Sequence, residues 1–302
     1  MYKPALSVVV STFNSELFIQ QCLDSIINQD ISDFELLILD GGSTDSTVSI
    51  SKEYAKKFTN IRIFEYQSLS FPDALNKGLG ELSRSEYLTF INSDDYYITQ
   101  CFKKVFDVFS SDPSIDIIQC EGTYVNSNGE YLRKYPSKLL SFNSFVLSAN
   151  SDALQPAVFF KKDLFARVGG ISVGIKCLVD LDLWSKMLLL EPKVIFLRGF
   201  YVAAYRLHST SFTVSGKDIF IQDLNLYIKQ FQLKIFQRRH MFLFFNYLRL
   251  MNYYRETRDK KLTKKFAFNS LKMIRFQYLF EYKKMLRFVQ IILITSLPSR
   301  WD

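Results

Sequence analysis

Leu6-Ser7-Val8-Val9-Val10-Ser11-Thr12 is the stretch on which the fold turns. Its β-branched residues favour extended backbone. An apolar run with little polar alternation reads as a strand buried on both faces, the pattern of a parallel sheet covered by helices. Downstream, Ile19, Cys22, Leu23, Ile26 and Ile27 fall at helical spacing. Phe34 to Leu39 repeats the buried-strand pattern, Val48 to Phe58 the helical one, and Ile61 to Phe64 the strand again. A short helix around Ala74 to Leu79, a strand at Tyr87 to Ile91, a helix at Phe102 to Phe109 and a strand at Ile115 to Cys120 continue the alternation. This order predicts βαβ units and an α/β fold with a mostly parallel central sheet flanked by helices. Asn128-Gly129 marks a hairpin turn. Further strands are predicted at Pro156 to Phe160, Val194 to Leu197 and Tyr201 to Leu207, with a helix at Leu181 to Leu190.

The chain has 302 residues, enough for one large α/β domain and an appendage. Charge is uneven. From Lys217 to Asp302 there are 18 Lys and Arg against 6 Asp and Glu, whereas the rest holds 20 against 24. A body over residues 1–216 and a helical, basic, aromatic-rich region over 217–302 are therefore expected. Cys22, Cys101, Cys120 and Cys177 show no paired spacing, and no leader precedes the first strand, which points to a reducing cytoplasm. No apolar run reaches the ~18 residues that span a bilayer.

In open α/β sheets ligands bind at the carboxyl ends of the strands. Three polar segments stand there: Thr12 to Asn14, Asp40 to Asp45, and Asn92 to Asp95. Asp94 and Asp95 side by side repel each other, so a divalent cation shared with substrate phosphates would suit them; a helix N-cap suits them too. Asp40-Gly41-Gly42-Ser43-Thr44-Asp45 lets backbone approach a ligand, with Asp40 placed to take a base or ribose; a tight βα loop with a capping Asp45 or Ser46 is the other reading. Asp180, at the start of Asp180-Leu181-Asp182-Leu183-Trp184, is a general base for a hydroxyl or a cap. His208, in a polar loop, is within the chemistry of a metal or a diphosphate.

Together these segments resemble the inverting family 2 glycosyltransferases of GT-A fold, in particular bacterial enzymes of surface-polysaccharide assembly. The likeness runs from about Ser7 to Ser211. It is carried by Ser7 to Asn14, by Leu23 to Gln29 followed by Phe34 to Thr47, by Asp73-Ala74-Leu75-Asn76-Lys77-Gly78, by Phe90 to Asp95, by Gln155 to Phe160, by Val168-Gly169-Gly170 and by Asp180 to Trp184. The resemblance implies that Thr12, Phe13 and Glu16 line the nucleotide pocket, with Phe13 against the base, and that Asp40 binds the base. It implies Asp94 at the ribose or metal, Asp95 as principal metal ligand, and His208 near the metal and diphosphate. Asp73 and Asn76 would border the donor sugar or diphosphate, Asp180 would be the catalytic base, and Trp184 would shape the acceptor side. The implied cofactor is Mn²⁺ or Mg²⁺, and the implied reaction is a single in-line displacement with inversion, from a UDP-sugar to a glycan or lipid-linked acceptor. Ser70-Phe71-Pro72 stands where relatives commonly carry a glycine, which keeps open a catalytically silent nucleotide-binding scaffold.

Beyond Lys217, Phe242, Phe245, Leu248 and Met251, then Phe266, Leu271, Ile274, Tyr278 and Met285, alternate with Lys and Arg at near-helical spacing. Basic amphipathic helices bind anionic lipid, so a peripheral place on the inner face of the cell membrane is expected; helices packed on the body are the other reading. No recognisable nucleic-acid module accompanies the charge, and no nucleic-acid partner is expected.

Overall fold

The computed structural model describes residues 3–147, 153–209, 217–235, 239–256 and 259–273. A nine-stranded sheet runs through the body in the order β3-β2-β1-β4-β8-β6-β9-β5, with β7 paired to β6. Its first half is β1 (Leu6–Thr12), β2 (Phe34–Asp40), β3 (Ile61–Glu65) and β4 (Tyr87–Asn92), all parallel. The second half is mixed: β8 (Val158–Lys161) lies antiparallel to both β4 and β6 (Ile117–Val125), and β9 (Val194–Arg206) is parallel to β6. Two short strands, β5 (Tyr96–Tyr97) and β7 (Tyr131–Lys134), pair antiparallel with β9 and β6. The sheet is thus parallel where βαβ alternation predicts it and mixed beyond β4.

Val8, Val9 and Val10 are fully buried, as the unbroken apolar run requires of a strand covered on both faces. Each such side chain contributes about 1.5–3 kcal/mol relative to exposure. Helix α1 (Ile19–Ile27) buries Ile19, Cys22, Leu23 and Ile26, one 3.6-residue stripe. Helix α2 (Thr47–Lys57) follows β2, α3 (Phe71–Leu75) passes into a π-helical turn (Asn76–Leu82), and α4 (Phe102–Ser111) follows β5. The turn packs so tightly on β1 that a Cβ on Gly78 would lie 2.6 Å from a Val9 methyl. Helices α5 (Lys162–Arg167) and α6 (Val179–Leu188) complete the body.

Chain order leaves β1 for β2 and β3 on one side, then returns to place β4 on the other. The carboxyl ends of β1 and β4 therefore flank the point where the sheet reverses direction of growth, the crevice that binds ligands in such sheets. Register puts Thr12 beside Asp40 and Ser11 beside Asn92 along that edge.

The described residues divide into two compact units, those within 1–142 and 151–223, and those within 143–150 and 224–302. The expected boundary at residue 216 falls outside the described residues. The C-terminal helices are α7 (Lys217–Phe231), α8 (Arg239–Glu256) and α9 (Lys260–Lys272). Phe242, Phe245, Leu248 and Met251, expected to form a lipid-facing stripe, are buried. Phe242 packs on Tyr227 at 5.5 Å, and Tyr254 stacks on Phe266 at 5.5 Å. These aromatics fill a helical core because Met241 to Asn246 are buried in succession, all round the first turns of α8. Ile274, Tyr278 and Met285 lie outside the described residues. Among those described, no helix is long and apolar enough to cross a membrane.

Candidate functional site

The loops after β1 and β2 are zipped together. Asn14, at φ +46°, donates its N–H to Ser43 Oγ (2.8 Å) and accepts the Thr44 N–H on Oδ1 (2.8 Å). Asparagine tolerates this left-handed backbone because its short side chain bonds locally. Glu16 N–H donates to Asp45 (3.1 Å), and the Glu16 carboxylate accepts the Ser46 N–H (2.9 Å). Asp40 is spent the same way: Oδ2 accepts the N–H groups of Gly42 and Ser43, both at 2.9 Å, and Oδ1 accepts the Ser43 hydroxyl at 2.5 Å. Gly42 sits at φ +103°, where a Cβ would fall 2.5 Å from the Gln67 carbonyl oxygen, so no other residue fits this turn. Thr12 is buried, with no partner for its hydroxyl among the described residues. Thr12, Glu16 and Asp40, three of the side chains expected at a nucleotide, thus build the wall of the crevice. Phe13 is different: it is 61 % exposed, and its ring borders Gly41.

The loop after β4 is tied to the β1 loop by Ser93 Oγ donating to Ser15 Oγ at 2.7 Å. Here two carboxylates part company. Asp94 is 26 % exposed, and its Oδ2 meets His208 Nε2 at 2.9 Å. Asp95 is 1 % exposed; its Oδ1 accepts the Arg206 N–H at 2.9 Å, and its Oδ2 is buried with no hydrogen-bond partner among the described residues. Burial first, and the Asp94 charge second, push the Asp95 carboxyl well above the usual carboxylate range, against the pull of the Arg206 N–H and guanidinium. Asp95, expected to lead a metal site, therefore stands behind Asp94 and His208. No group of three or more His, Cys, Asp or Glu side chains among the described residues is arranged to hold a metal.

Arg206 is the residue that sequence reading passed over. Its side chain is buried: Nε donates to the Asp94 carbonyl (2.8 Å), Nη1 to the Ser127 carbonyl (2.8 Å) and Nη2 to Gln21 Oε1 (2.5 Å). The guanidinium lies over the rings of Phe18 (4.9 Å) and Tyr96 (5.2 Å), and Phe18 also contacts the His208 ring at 4.8 Å. One cation thus joins α1, the Asp94 loop, the β6–β7 hairpin and the His208 segment. The available signal was its place at the end of a strand, two residues before His208.

The remaining expected residues are distributed differently. Asp73 lies in the first turn of α3, which Ser70 caps: the Asp73 N–H donates to Ser70 Oγ, and the Asp73 carboxylate accepts the Ser70 hydroxyl at 2.5 Å. Asn76, expected beside the donor, instead exchanges both amide groups with the backbone of Ile171 (3.1 and 2.8 Å) and pins the Gly169-Gly170 turn. Trp184, expected to shape an acceptor face, is wholly buried between Phe90 (6.0 Å) and Phe160 (5.4 Å), because α6 packs that side on the sheet. Asp180, at the second position of α6, accepts the Leu181 N–H at 2.7 Å and is partly exposed. Trp184, one turn further along, seats α6 on β4, the strand that ends in the Asp94 loop.

A profile described as glycosyl transferase family 2 matches residues 7–169. Among curated relatives, the uncharacterized glycosyltransferase EpsJ of Bacillus subtilis is 30% identical over 125 residues, 41% of this chain and 36% of its own. The poly(ribitol-phosphate) beta-glucosyltransferase of Bacillus spizizenii is 32% identical over 127 residues, 41% of this chain and 20% of its own. The matched stretch is thus about a third or less of the length of these relatives. Among solved structures, S. aureus TarS superposes with a TM-score of 0.68 at 18% identity over 96% of this chain and 53% of that one. Its residues 1–349 in complex with UDP-GlcNAc superpose with a TM-score of 0.60 at 18% identity, over 87% of this chain and 82% of that one. The fold is of the GT-A type.

Proposed function

The chain belongs to glycosyl transferase family 2, and from that premise we propose that it moves a sugar, with inversion, from a UDP-sugar to a glycan or lipid-linked acceptor in polysaccharide biosynthesis. One observation carries the reading: Asp94 and His208 meet at the sheet's switch point in front of a buried Asp95 whose Oδ2 lacks a partner among the described residues. A buried carboxylate with an unsatisfied oxygen beside a second carboxylate is costly without a cation. UDP-GlcNAc bound to TarS, and the poly(ribitol-phosphate) beta-glucosyltransferase among the relatives, support a UDP donor and a surface polymer.

The residues fit Mn²⁺ or Mg²⁺: such ions are held by one or two carboxylates and complete their shell with substrate phosphates and water. Asp94 and His208 would hold the ion, with Asp95 Oδ2 behind them. When bound, it offsets the charge growing on the departing diphosphate. Phe13 offers its exposed face to the base. Asp40 Oδ1 is held by the Ser43 hydroxyl, a rotor that can turn away and leave that oxygen to a base N–H. Asp73, at the head of α3, borders the donor sugar. Arg206 keeps His208 and Asp94 in one register. Asp180 takes the proton from the acceptor hydroxyl as the glycosidic bond forms.

A membrane-facing surface is part of this reading. On α9, Lys260, Lys261, Lys264, Lys265, Phe268 and Lys272 are all exposed, and at 3.6 residues per turn they share one arc of about 140°. The helix carries no Asp or Glu. Such a face suits anionic lipid headgroups. Flotation of the full chain with vesicles containing anionic lipid, set against zwitterionic vesicles, tests it; equal recovery with both would end it.

The activity is tested by incubating the full chain with UDP-GlcNAc and UDP-glucose plus Mn²⁺ and resolving free sugar and UDP by mass. The reading expects UDP release that Asp94→Ala abolishes. Nucleotide binding without turnover of either donor would favour a silent scaffold.

A further inference from the structure

We propose that Asp223, on α7 and within the body unit, is the positioning residue for Asp180, an inference that rests on the reading of Asp180 as the acceptor base. The first turns of a helix expose N–H groups that need acceptors. Helix α6 begins at Val179 after Leu178, which offers no capping side chain. The two acids of its first turn do only part of this work. Asp182 is fully buried and committed elsewhere: it accepts the Ser172 N–H and hydroxyl, each at 2.8 Å, and pairs with Lys186 at 3.1 Å. Asp180 accepts the Leu181 N–H, at its own position in the helix.

Asp223 holds the turn that leads into α6 from 45 residues away. Its Oδ2 takes three successive backbone N–H groups, those of Lys176 (2.9 Å), Cys177 (2.6 Å) and Leu178 (3.0 Å). Three consecutive N–H groups converging on one oxygen form a concave anion seat, and the positive end of α6 adds to it. Asp223 is 1 % exposed, so water does not share this task. Its Oδ1 is buried as well. Asp180 lies two residues past Leu178, so the turn held by Asp223 sets where the Asp180 carboxylate stands. The Cys177 thiol lies close to both carboxylates: it is raised by burial first, then by Asp223 and by Asp180.

The test uses the full chain, Mn²⁺, and hydrolysis of UDP-GlcNAc and UDP-glucose with water as acceptor. Misplacing a reacting group by an ångström costs on the order of 100-fold, so Asp223→Ala should lower kcat about 100-fold while donor KM and UDP affinity stay unchanged. Asp223→Asn keeps a carbonyl oxygen for the same three donors but loses charge assistance, and should recover kcat to within about tenfold of the parent. Amide exchange at residues 176–178, read alongside, should accelerate in both variants in the order Ala, then Asn. Should Asp223→Ala not fold, Asp223→Asn decides alone: faster exchange with lower kcat supports the proposal. Parental kcat despite faster exchange overturns it, and so does unchanged exchange, since the carboxylate would then not hold the turn. Asp180→Asn is run in parallel. If it keeps parental turnover, the base reading itself fails; if it abolishes turnover while the Asp223 variants keep parental kcat, only the positioning inference fails.

Discussion

The loops that follow β2 and β4 look alike in sequence, each an acidic turn at the end of a buried parallel strand, yet they use their carboxylates in opposite ways. Asp40 has both oxygens satisfied within three residues, by Gly42, Ser43 and the Ser43 hydroxyl. Asp94 and Asp95 stand side by side; Asp94 meets the His208 imidazole, and Asp95 Oδ2 is left without a partner among the described residues. The first loop satisfies its acid as folded, and frees Asp40 Oδ1 only if the Ser43 hydroxyl turns away. The second keeps a buried carboxyl oxygen without a partner among the described residues, and burial with the Asp94 charge raises the Asp95 carboxyl. The lesson is that an acid at a strand end is a structural cap when its own loop satisfies it, and a site when it does not.

The sharpest way to break this contrast is to exchange one carboxylate in each loop. Asp94→Ala should lower UDP-sugar turnover by about 100- to 1000-fold, the range for losing one preorganised electrostatic contact, and change the melting temperature little. Asp40→Ala should do the reverse in kind. It strands two N–H donors of the β2 loop, so chemical denaturation should report a loss of about 1–3 kcal/mol, while the metal dependence of whatever turnover survives stays parental. If Asp40→Ala leaves stability intact, or Asp94→Ala unfolds the chain, the contrast fails. Next in size is Phe13→Ala. If this exposed ring stacks with a base as proposed, its removal should weaken UDP binding by about tenfold or less, in keeping with ~0.5–1.5 kcal/mol for an aromatic pair, without loss of stability. A variant that binds UDP like the parent removes Phe13 from the pocket.

The smallest effect is a pH dependence confined to the β2 loop. Burial alone would raise the Asp45 carboxyl, but hydrogen bonds from the Thr47 hydroxyl and N–H and from the Glu16 N–H hold it below its usual range. A carboxyl depressed in the folded state adds stability above its unfolded value, about 3.9, and that contribution is lost as pH falls through the lower folded value. Melting temperatures followed downward from pH 5 should therefore fall more steeply for the parent than for Asp45→Asn. Parallel curves would mean that Asp45 is not tied into the loop.

The parallel half of the sheet was legible because its signals are local. Val8 to Val10 and Leu36 to Leu39 are apolar without interruption, and the stripe of α1 has a plain 3.6 period. Helix α5 and strand β5 were not legible: each is short, and pairing with distant chain, not period, defines them. Residues 194–206 read as two strands but form one, because the irregular register against β6 between Gln119 and Gly122 lets the chain run on. In the site, the acidic positions were visible and their duties were not. The donor to Asp95 comes from Arg206, 111 residues away, and the acceptors of Arg206 come from three separate elements. Trp184 was misplaced for a related reason. Nearly every residue of α6 is buried, so its pattern does not tell which side meets the sheet.

The central claim, that Asp94, His208 and Asp95 form a seat for a cation and a diphosphate, is tested most directly by calorimetric titration of UDP into the full chain with Mn²⁺ and then with chelator. The account predicts tight binding with Mn²⁺, weakened at least tenfold by chelation, and loss of that difference in Asp94→Ala. Equal affinity with and without the ion, in the parent protein, would contradict it.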